Sequence, residues 1–306
     1  MVSMRRKQQS GVYDIALRKQ GWLIDKDGDN RFVHIRLKKK ILSEKTDFQK
    51  VELYDSYDFG IIVMLDGKVQ STEKDEFIYH EALVHPGMLL HPRPQRVLIL
   101  GGGEGATLRE VLRYRSVRKC VMVDIDKKFV NICSKYLKNW HQGSFNNSRT
   151  SLLFIDAFEY IKKTEDRFDV VIADISDPAE KGPARVVYTK KFYKFIQGVL
   201  SRDGIFVTHA TEIGSINKKG ISKTIFKSLK SIFPDVTFYY EYIPSFGCLW
   251  AYALCSQKHK VSNLVPDIIE RRIRKRRLRK LRYYDHETHQ RMFSISKNVK
   301  NFVLGK

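Results

Sequence analysis

The chain has 306 residues, of which 42% are hydrophobic and 29% charged, as in globular proteins with a full hydrophobic core, but its formal net charge is +22. The four cysteines show no C-x-x-C spacing, which argues against a disulfide framework and against a zinc site. No apolar run is long enough to span a bilayer, and the first residues contain no apolar signal core, so we expect a cytoplasmic protein without a membrane span.

Residues 1–15 are polar and basic and predict a flexible arm. Residues 16–75 have the pattern of short strands, with turn signals at 58–60 and 66–67 between the apolar runs. Strands separated by such short turns pair with their neighbours in an antiparallel manner. We therefore expect a small antiparallel β domain here.

The next part of the chain, residues 76–257, alternates between strand and helix patterns. A helix is predicted over 74–90, with a break near Pro86. The strand–helix units that follow it are 97–114, 120–139, 151–163, 169–200 and 204–232, and a last β region covers 236–256. This alternation predicts a Rossmann-like, methyltransferase-like α/β domain with a doubly wound, mostly parallel sheet.

The most informative stretch is 96–126, RVLILGGGEGATLREVLRYRSVRKCVMVDID. A buried strand leads into a turn that contains Gly101 and Gly103, where the backbone can approach a ligand closely. A helix and a second buried strand follow, and Asp124 closes that strand 21 positions after Gly103. An acidic residue at this distance binds ribose hydroxyls in Rossmann-like sheets. The turn GGGEGAT lacks the lysine of a P-loop, so a nucleoside site is predicted rather than a nucleotide site.

Carboxylates follow nearly every predicted strand in the first half of the sheet. They are Glu104, Asp124, Asp126, Asp156, Asp174 and Asp177. Ligands of such sheets bind at the carboxyl ends of the strands, so we expect these side chains to line one crevice. An acidic crevice in a protein of charge +22 indicates a ligand that carries positive charge. Asp126 is interpreted as a helix N-cap rather than a ligand.

The runs DEFIYHEALVHP, HPRPQRVLILGGGEGATLREVL, VMVDID and FDVVIADISDP together resemble the spermidine synthase family of polyamine aminopropyltransferases. The resemblance extends from about Trp22 to Ser256, and DPAEKGP and YTKKFY are most similar to the thermospermine synthase branch. It implies that an aminopropyl group passes from decarboxylated S-adenosylmethionine, a co-substrate rather than a prosthetic group, to an amine. The implied acceptor is spermidine, giving thermospermine, with putrescine and agmatine as alternatives.

The resemblance also implies a role for each residue at a matching position. On the donor side these are Gln49, His80, Gly101, Gly103, Glu104, Asp124, Asp156 and Ala157. Asp174 is the implied acid–base residue, with Tyr79 beside it. On the acceptor side these are Tyr79, Asp174, Asp177, Pro183, His209 and Phe246, with a lid over 176–187. No metal is implied.

Three positions depart from the family pattern and leave the acceptor open. Glu104 stands where typical spermidine synthases have an aspartate, which keeps the charge and extends its reach. His209 stands where relatives usually have glutamine, and a protonated imidazole would repel a polyamine. Phe246 replaces a tyrosine and so removes a hydroxyl from the predicted amine pocket.

Residues 258–306 form a basic extension with 15 Lys/Arg and 4 Asp/Glu, a net +11 that is half the excess of the whole chain. Within it, 271–282, RRIRKRRLRKLR, predicts a basic helix with a weak apolar stripe. Either this helix docks on the domain, or it binds nucleic acid or another polyanion.

Two other functions remain open from the sequence. A methyltransferase that uses intact S-adenosylmethionine would share the sheet and the glycine turn, but it must neutralise the methionine carboxylate, and Glu104 does the reverse. A protein that kept the fold and binds nucleic acid through its tail is the other alternative.

The small β domain favours assembly as a homodimer or homotetramer.

Overall fold

The computed structural model describes residues 21–27, 31–176, 187–213 and 220–304. The chain divides into two compact units. The small unit runs to Asp75 and also contains Pro244–Gly247, and the large unit comprises Glu76–Ile243 and Cys248–Lys306. The basic extension thus belongs to the same unit as the seven-stranded sheet, and the predicted four-part division stays a prediction.

The small unit is a five-stranded antiparallel sheet in chain order, as predicted. Its strands are β1 (Trp22–Asp27), β2 (Arg31–Lys45), β3 (Lys50–Ser56), β4 (Gly60–Leu65) and β5 (Lys68–Thr72). Asp66 and Gly67 connect the last two strands with φ of 50° and 79°, the backbone that a tight two-residue hairpin requires. The apolar core of this unit consists of Leu23, Ile35, Ile62, Met64 and Val69.

The large unit is built on a seven-stranded, mostly parallel sheet, which confirms the predicted fold class. Its strands are β6 (Arg96–Gly101), β7 (Lys119–Asp124), β8 (Thr150–Phe154), β9 (Phe168–Asp174), β10 (Leu200–Ile213), β11 (Asp235–Ile243) and β12 (Cys248–Ser256). They lie in the order β11-β12-β10-β9-β6-β7-β8, and β6 to β10 are parallel. Strand β12 is antiparallel to both of its neighbours.

Helices cover both faces of this sheet. They are α1 (Glu76–Leu90), α2 (Ala106–Leu112), α3 (Lys127–Tyr136), α4 (Lys138–His141), α5 (Ala157–Lys163), α6 (Lys190–Val199), α7 (Ile221–Lys230), α8 (Pro266–Arg276), α9 (His286–Phe293) and α10 (Lys297–Leu304). On one face, Leu98 and Val171 of the sheet join a buried cluster with Phe192 of α6 and Leu229 of α7. On the other face, α1 packs so closely that a Cβ added at Gly87 would lie 2.3 Å from a valine of β10.

The predicted break of α1 at Pro86 is wrong, because the helix continues to Leu90. A proline has no N–H to donate to the carbonyl four residues earlier, here that of Ala82. The Tyr239 hydroxyl donates to that carbonyl at 3.0 Å instead. The buried carbonyl therefore keeps a partner, and the helix tolerates the proline.

The predicted basic helix over 271–282 is only half present. Helix α8 ends at Arg276, and Arg277 takes a left-handed backbone with φ 53°. The chain then runs without helix to α9. Among the described residues, no helix is both long and apolar enough to cross a membrane.

Candidate functional site

The glycine turn is pressed against the end of strand β9. Gly101 has φ 79°, and a Cβ on it would lie 2.2 Å from the backbone oxygen of Asp174. The backbone N–H of Gly102 donates to that same oxygen at 2.9 Å. Only glycine at 101 allows this close approach. The packing brings Asp174 directly beside the turn, where the carboxyl ends of the parallel strands β6 and β9 meet.

The carboxylate of Asp174 is held at both of its oxygens. Oδ1 accepts a hydrogen bond from the Tyr79 hydroxyl at 2.9 Å, and Oδ2 accepts one from the Thr107 hydroxyl at 2.6 Å. Burial, with the Asp174 charge second, raises the pKa of Tyr79 well above its ordinary value, so this phenol stays a donor. Sequence reasoning missed Thr107, although it is the threonine of GGGEGAT. The two bonds fix where the carboxylate points.

Asp124 lies at the end of β7 beside Gly103, whose added Cβ would be 2.9 Å from Asp124 Oδ2. Its Oδ1 accepts the Asp126 N–H at 2.8 Å. Burial raises the pKa of Asp124 from 3.8 to about 6, and the nearby charges of Asp126 and Asp174 add to the effect. Asp126 itself caps helix α3 by accepting the Phe129 N–H at 2.9 Å, as interpreted from the sequence.

Glu104 is also buried, at 9% exposure. The pKa of the Cys133 thiol is raised well above its ordinary value by burial, and then by the charges of Glu104, Asp124 and Asp126. That thiol therefore marks a region where several carboxylates converge. Like charges in a poorly hydrated crevice repel one another, and a bound cation relieves that repulsion.

His80 is fixed by a buried ion-pair network that involves Glu76 and Arg109. Its Nδ1 donates to the Glu76 backbone carbonyl at 2.6 Å and lies 2.9 Å from Glu76 Oε2. Burial disfavours the charged imidazole, but the Glu76 carboxylate outweighs burial and raises the pKa of His80. Glu76 in turn forms a two-pronged pair with Arg109 at 2.9 and 3.0 Å. Sequence reasoning missed this pair, whose only signal is a charged residue in each of two buried helices.

Asp156 is the N-cap of helix α5, and its Oδ1 accepts the Glu159 N–H at 2.9 Å. Asp156 and Ala157 are half-buried, and Phe154 just before them is 40% exposed. An exposed phenylalanine beside a strand end offers an apolar surface for a flat ring.

His209 forms a hydrogen bond with the backbone just after Asp174. Its Nε2 lies 2.5 Å from the Ile175 carbonyl oxygen and 2.9 Å from the Tyr188 hydroxyl. A carbonyl only accepts, so Nε2 carries the proton and donates it. Trp250 of β12 stacks on the His209 ring with centroids 5.8 Å apart. A role of His209 in amine binding stays a prediction.

Four predicted site residues fall outside the described part of the large unit. Asp177 and Pro183, with most of the predicted lid, lie outside the described residues. Gln49 and Phe246 belong to the small unit, where Phe246 packs against the apolar core. In the part of the chain that the structure describes, no three His, Cys, Asp or Glu residues are grouped to bind a metal ion.

Comparison with known proteins decides the family. Residues 76–264 match the Spermine/spermidine synthase domain, and residues 21–73 match the Spermidine synthase tetramerisation domain. A polyamine aminopropyltransferase of Saccharolobus islandicus is 42% identical over 281 residues, 92% of each chain. One of Sulfolobus acidocaldarius is 39% identical over 92% of this chain and 93% of the relative. The chain belongs to the spermidine synthase family.

Two solved structures of spermidine synthases agree with this family. One, a complex with the transition-state analogue AdoDATO, has a TM-score of 0.86 and 31% identity, and covers 93% of this chain and 95% of its own. The other, from Thermotoga maritima, has a TM-score of 0.84 and 30% identity over 93% and 94%. As a spermidine synthase family member, the chain is a polyamine aminopropyltransferase that uses decarboxylated S-adenosylmethionine as co-substrate. The methyltransferase alternative is thereby set aside.

Proposed function

We propose that Asp174 aligns the acceptor amine for aminopropyl transfer and accepts the proton that this amine loses. The observation that carries the proposal is the carboxylate itself, held at one oxygen by Tyr79 and at the other by Thr107 beside the glycine turn. A carboxylate fixed in this way presents its remaining lone pairs in one direction. It can therefore orient an amine toward a donor bound at the turn.

In the proposed step, the nitrogen lone pair attacks the carbon that joins the propylamine chain to the donor sulfur. The new N–C bond forms as the C–S bond breaks, and the bonding pair goes to sulfur, so neutral methylthioadenosine leaves. The nitrogen becomes positively charged and releases one proton to Asp174. Charge and atoms balance without a covalent enzyme intermediate.

The attacking amine must be neutral, which sets the order of events. A free alkyl amine titrates near a lysine, at about pH 10, so in neutral water it is an ammonium without a lone pair for the attack. Removal of water around the bound amine lowers its pKa, because burial disfavours the charged form. Asp174 then takes the proton as the N–C bond forms.

On the donor side, we propose that Asp124 binds the ribose hydroxyls and that Glu104 binds the propylamine. Two observations support this assignment: Gly103 of the turn lies directly against Asp124, and the charges of Glu104 and Asp124 both raise the pKa of the Cys133 thiol, as expected of an acidic site for a cationic nucleoside. For His80, its fixed orientation supports a donor contact. For Asp156 and Ala157, their place beside an exposed phenylalanine supports contact with the adenine edge.

Spermidine stays the predicted acceptor, with putrescine and agmatine as alternatives. We also propose a homo-oligomer, because residues 21–73 match a tetramerisation domain. Cytoplasmic location stays a prediction. A polyanion partner for the basic extension likewise stays a prediction, and the comparisons give it no support.

The test is methylthioadenosine release from decarboxylated S-adenosylmethionine, measured with each amine in turn. We expect Asp174→Asn to lower kcat by at least 100-fold, since acid–base groups contribute roughly 10²–10⁴-fold. Asp169→Asn, the same change at the other end of β9, is the matched control and should retain activity. Full activity of Asp174→Asn would contradict the proposed role. Activity on a diamine alone would show that the acceptor is a diamine and not spermidine.

A further inference from the structure

Two arginines of the basic extension form hydrogen bonds with the carboxyl end of helix α1. The Arg276 guanidinium donates to the backbone oxygens of Met88 at 2.6 Å, His91 at 2.7 Å and Pro92 at 2.8 Å. Arg272 donates to the Leu90 oxygen at 3.0 Å. The last carbonyls of a helix have no partner within it and carry partial negative charge, so two guanidinium groups satisfy and neutralise them.

The extension also binds the middle of α1 through Glu81. This carboxylate is fully buried and accepts three consecutive backbone N–H groups, from Arg282 at 2.8 Å, Tyr283 at 3.0 Å and Tyr284 at 2.8 Å. A buried carboxylate is costly unless such donors surround it, so the pairing ties the chain around residue 283 to this position of the helix.

A stack of aromatic rings leads from the extension to the site. Phe293 of α9 stacks on Tyr239 with centroids 4.5 Å apart, and Tyr239 stacks on Tyr252 at 5.1 Å. The Tyr252 ring lies 5.8 Å from that of Tyr79, whose hydroxyl holds Asp174. The rings thus form a continuous series of contacts from α9 to Tyr79 of α1.

Several arginines of the extension contact other residues of the same unit rather than solvent alone. Arg282 covers the Phe77 ring of α1 at 3.7 Å, and Arg291 pairs with Glu241 of β11 through both nitrogens. Exposed cations remain on the outer side of α8, such as Arg274, whose side chain is 77% exposed. A polyanion site would depend on the exposed cations of α8, whereas a role in placing α1 depends on the arginines that contact the domain.

We propose that Arg276 and Glu81 are positioning residues for catalysis: through them the extension holds α1 in the register that places Tyr79 against Asp174 and His80 at the donor. The inference rests on the proposed function of the site. Arg276 and Glu81 act through α1 and are not catalytic residues themselves.

The test compares Arg276→Ala with Arg274→Ala in the full-length enzyme, at a temperature where thermal unfolding shows both to be folded. We expect kcat of Arg276→Ala to fall about 10- to 100-fold, because small displacements of catalytic groups cost this much. Arg274→Ala, on the same helix and with the same change of charge, should keep wild-type kcat and KM. Arg276→Lys should recover part of the loss, since an ammonium reaches fewer carbonyls than the planar guanidinium.

Glu81→Gln provides a second variant if Arg276→Ala does not fold, because the amide keeps one acceptor oxygen and a similar shape. A fall in kcat of tenfold or more supports the inference. Unchanged kcat and KM in a folded variant, or an equal loss in Arg274→Ala, would overturn it. Asp174→Asn separates the two proposals: if it is inactive while Arg276→Ala and Glu81→Gln are fully active, the proposed function stands and the positioning role fails.

Discussion

Asp124→Asn is expected to stabilise the protein in the absence of donor while it impairs donor binding. Asp124 has a folded pKa of about 6, above the value of about 3.9 in an unfolded chain. Well below pH 4 the carboxyl is protonated in both states, so it contributes no penalty. The penalty grows as the pH rises from about 4 to about 6, and well above pH 6 the carboxyl is charged in both states and the folded protein carries the full cost. The asparagine avoids that cost and can still accept the Asp126 N–H.

A shift of about two pH units corresponds to roughly 3 kcal/mol at most, since each unit is about 1.4 kcal/mol. The Asp124 side chain keeps some contact with solvent, so we expect a gain of about 1–3 kcal/mol. For a unit of this size, roughly 2–4 °C of Tm corresponds to 1 kcal/mol. Tm of Asp124→Asn should therefore exceed that of wild type by about 2–12 °C at pH 8 and by little at pH 4.

The same variant should lose donor affinity, because a ribose diol then meets a neutral acceptor. We expect the donor kcat/KM to fall about 10- to 100-fold, as hydrogen bonds to charged groups contribute about 1.5–3 kcal/mol. Asp169→Asn is the control for stability. Oδ2 of Asp169 accepts the N–H groups of Gln95 and Arg96 at 2.7 and 2.9 Å, so replacement of this carboxylate by an amide should lower Tm. A lower Tm of Asp124→Asn at pH 8, or the same difference at both pH values, would refute the reasoning.

Two further substitutions test the packing around the site. Tyr239→Phe removes the donor to the carbonyl that the proline of α1 leaves without an N–H, and chemical denaturation should show a loss of about 1–3 kcal/mol. Tyr193→Phe is its control and should cost less, because among the described residues that buried hydroxyl has no hydrogen-bond partner. Gly101→Ala, at φ 79° and 2.2 Å from the Asp174 carbonyl, should lower kcat at least tenfold. Gly143→Ala is the control, because φ is 80° there too but nothing lies within 4 Å of an added Cβ. It should cost only the roughly 1–2 kcal/mol of backbone strain and leave kcat unchanged. An equal loss of kcat in Gly101→Ala and Gly143→Ala would contradict the steric argument.

The sequence alone predicted both sheets, the glycine turn and the placement of Asp124 and Asp174 at one edge. These features follow from local information: apolar periodicity identifies strands and helices, and the carboxyl ends of parallel strands meet by geometry. The family resemblance rests on the same short motifs, and the comparisons confirm it.

Tertiary structure decided the features that depend on distant residues. Helix α1 passes Pro86 because Tyr239, 157 positions after Ala82, donates to the Ala82 carbonyl that the proline leaves without an N–H. Asp174 receives its second hydrogen bond from Thr107, 67 positions away. The basic extension leaves its helix after Arg276, and the N–H groups of residues 282–284 bond to Glu81 of α1 rather than to helical carbonyls. Buried polar groups must be paired, and the partner that the fold brings near determines which local tendency prevails.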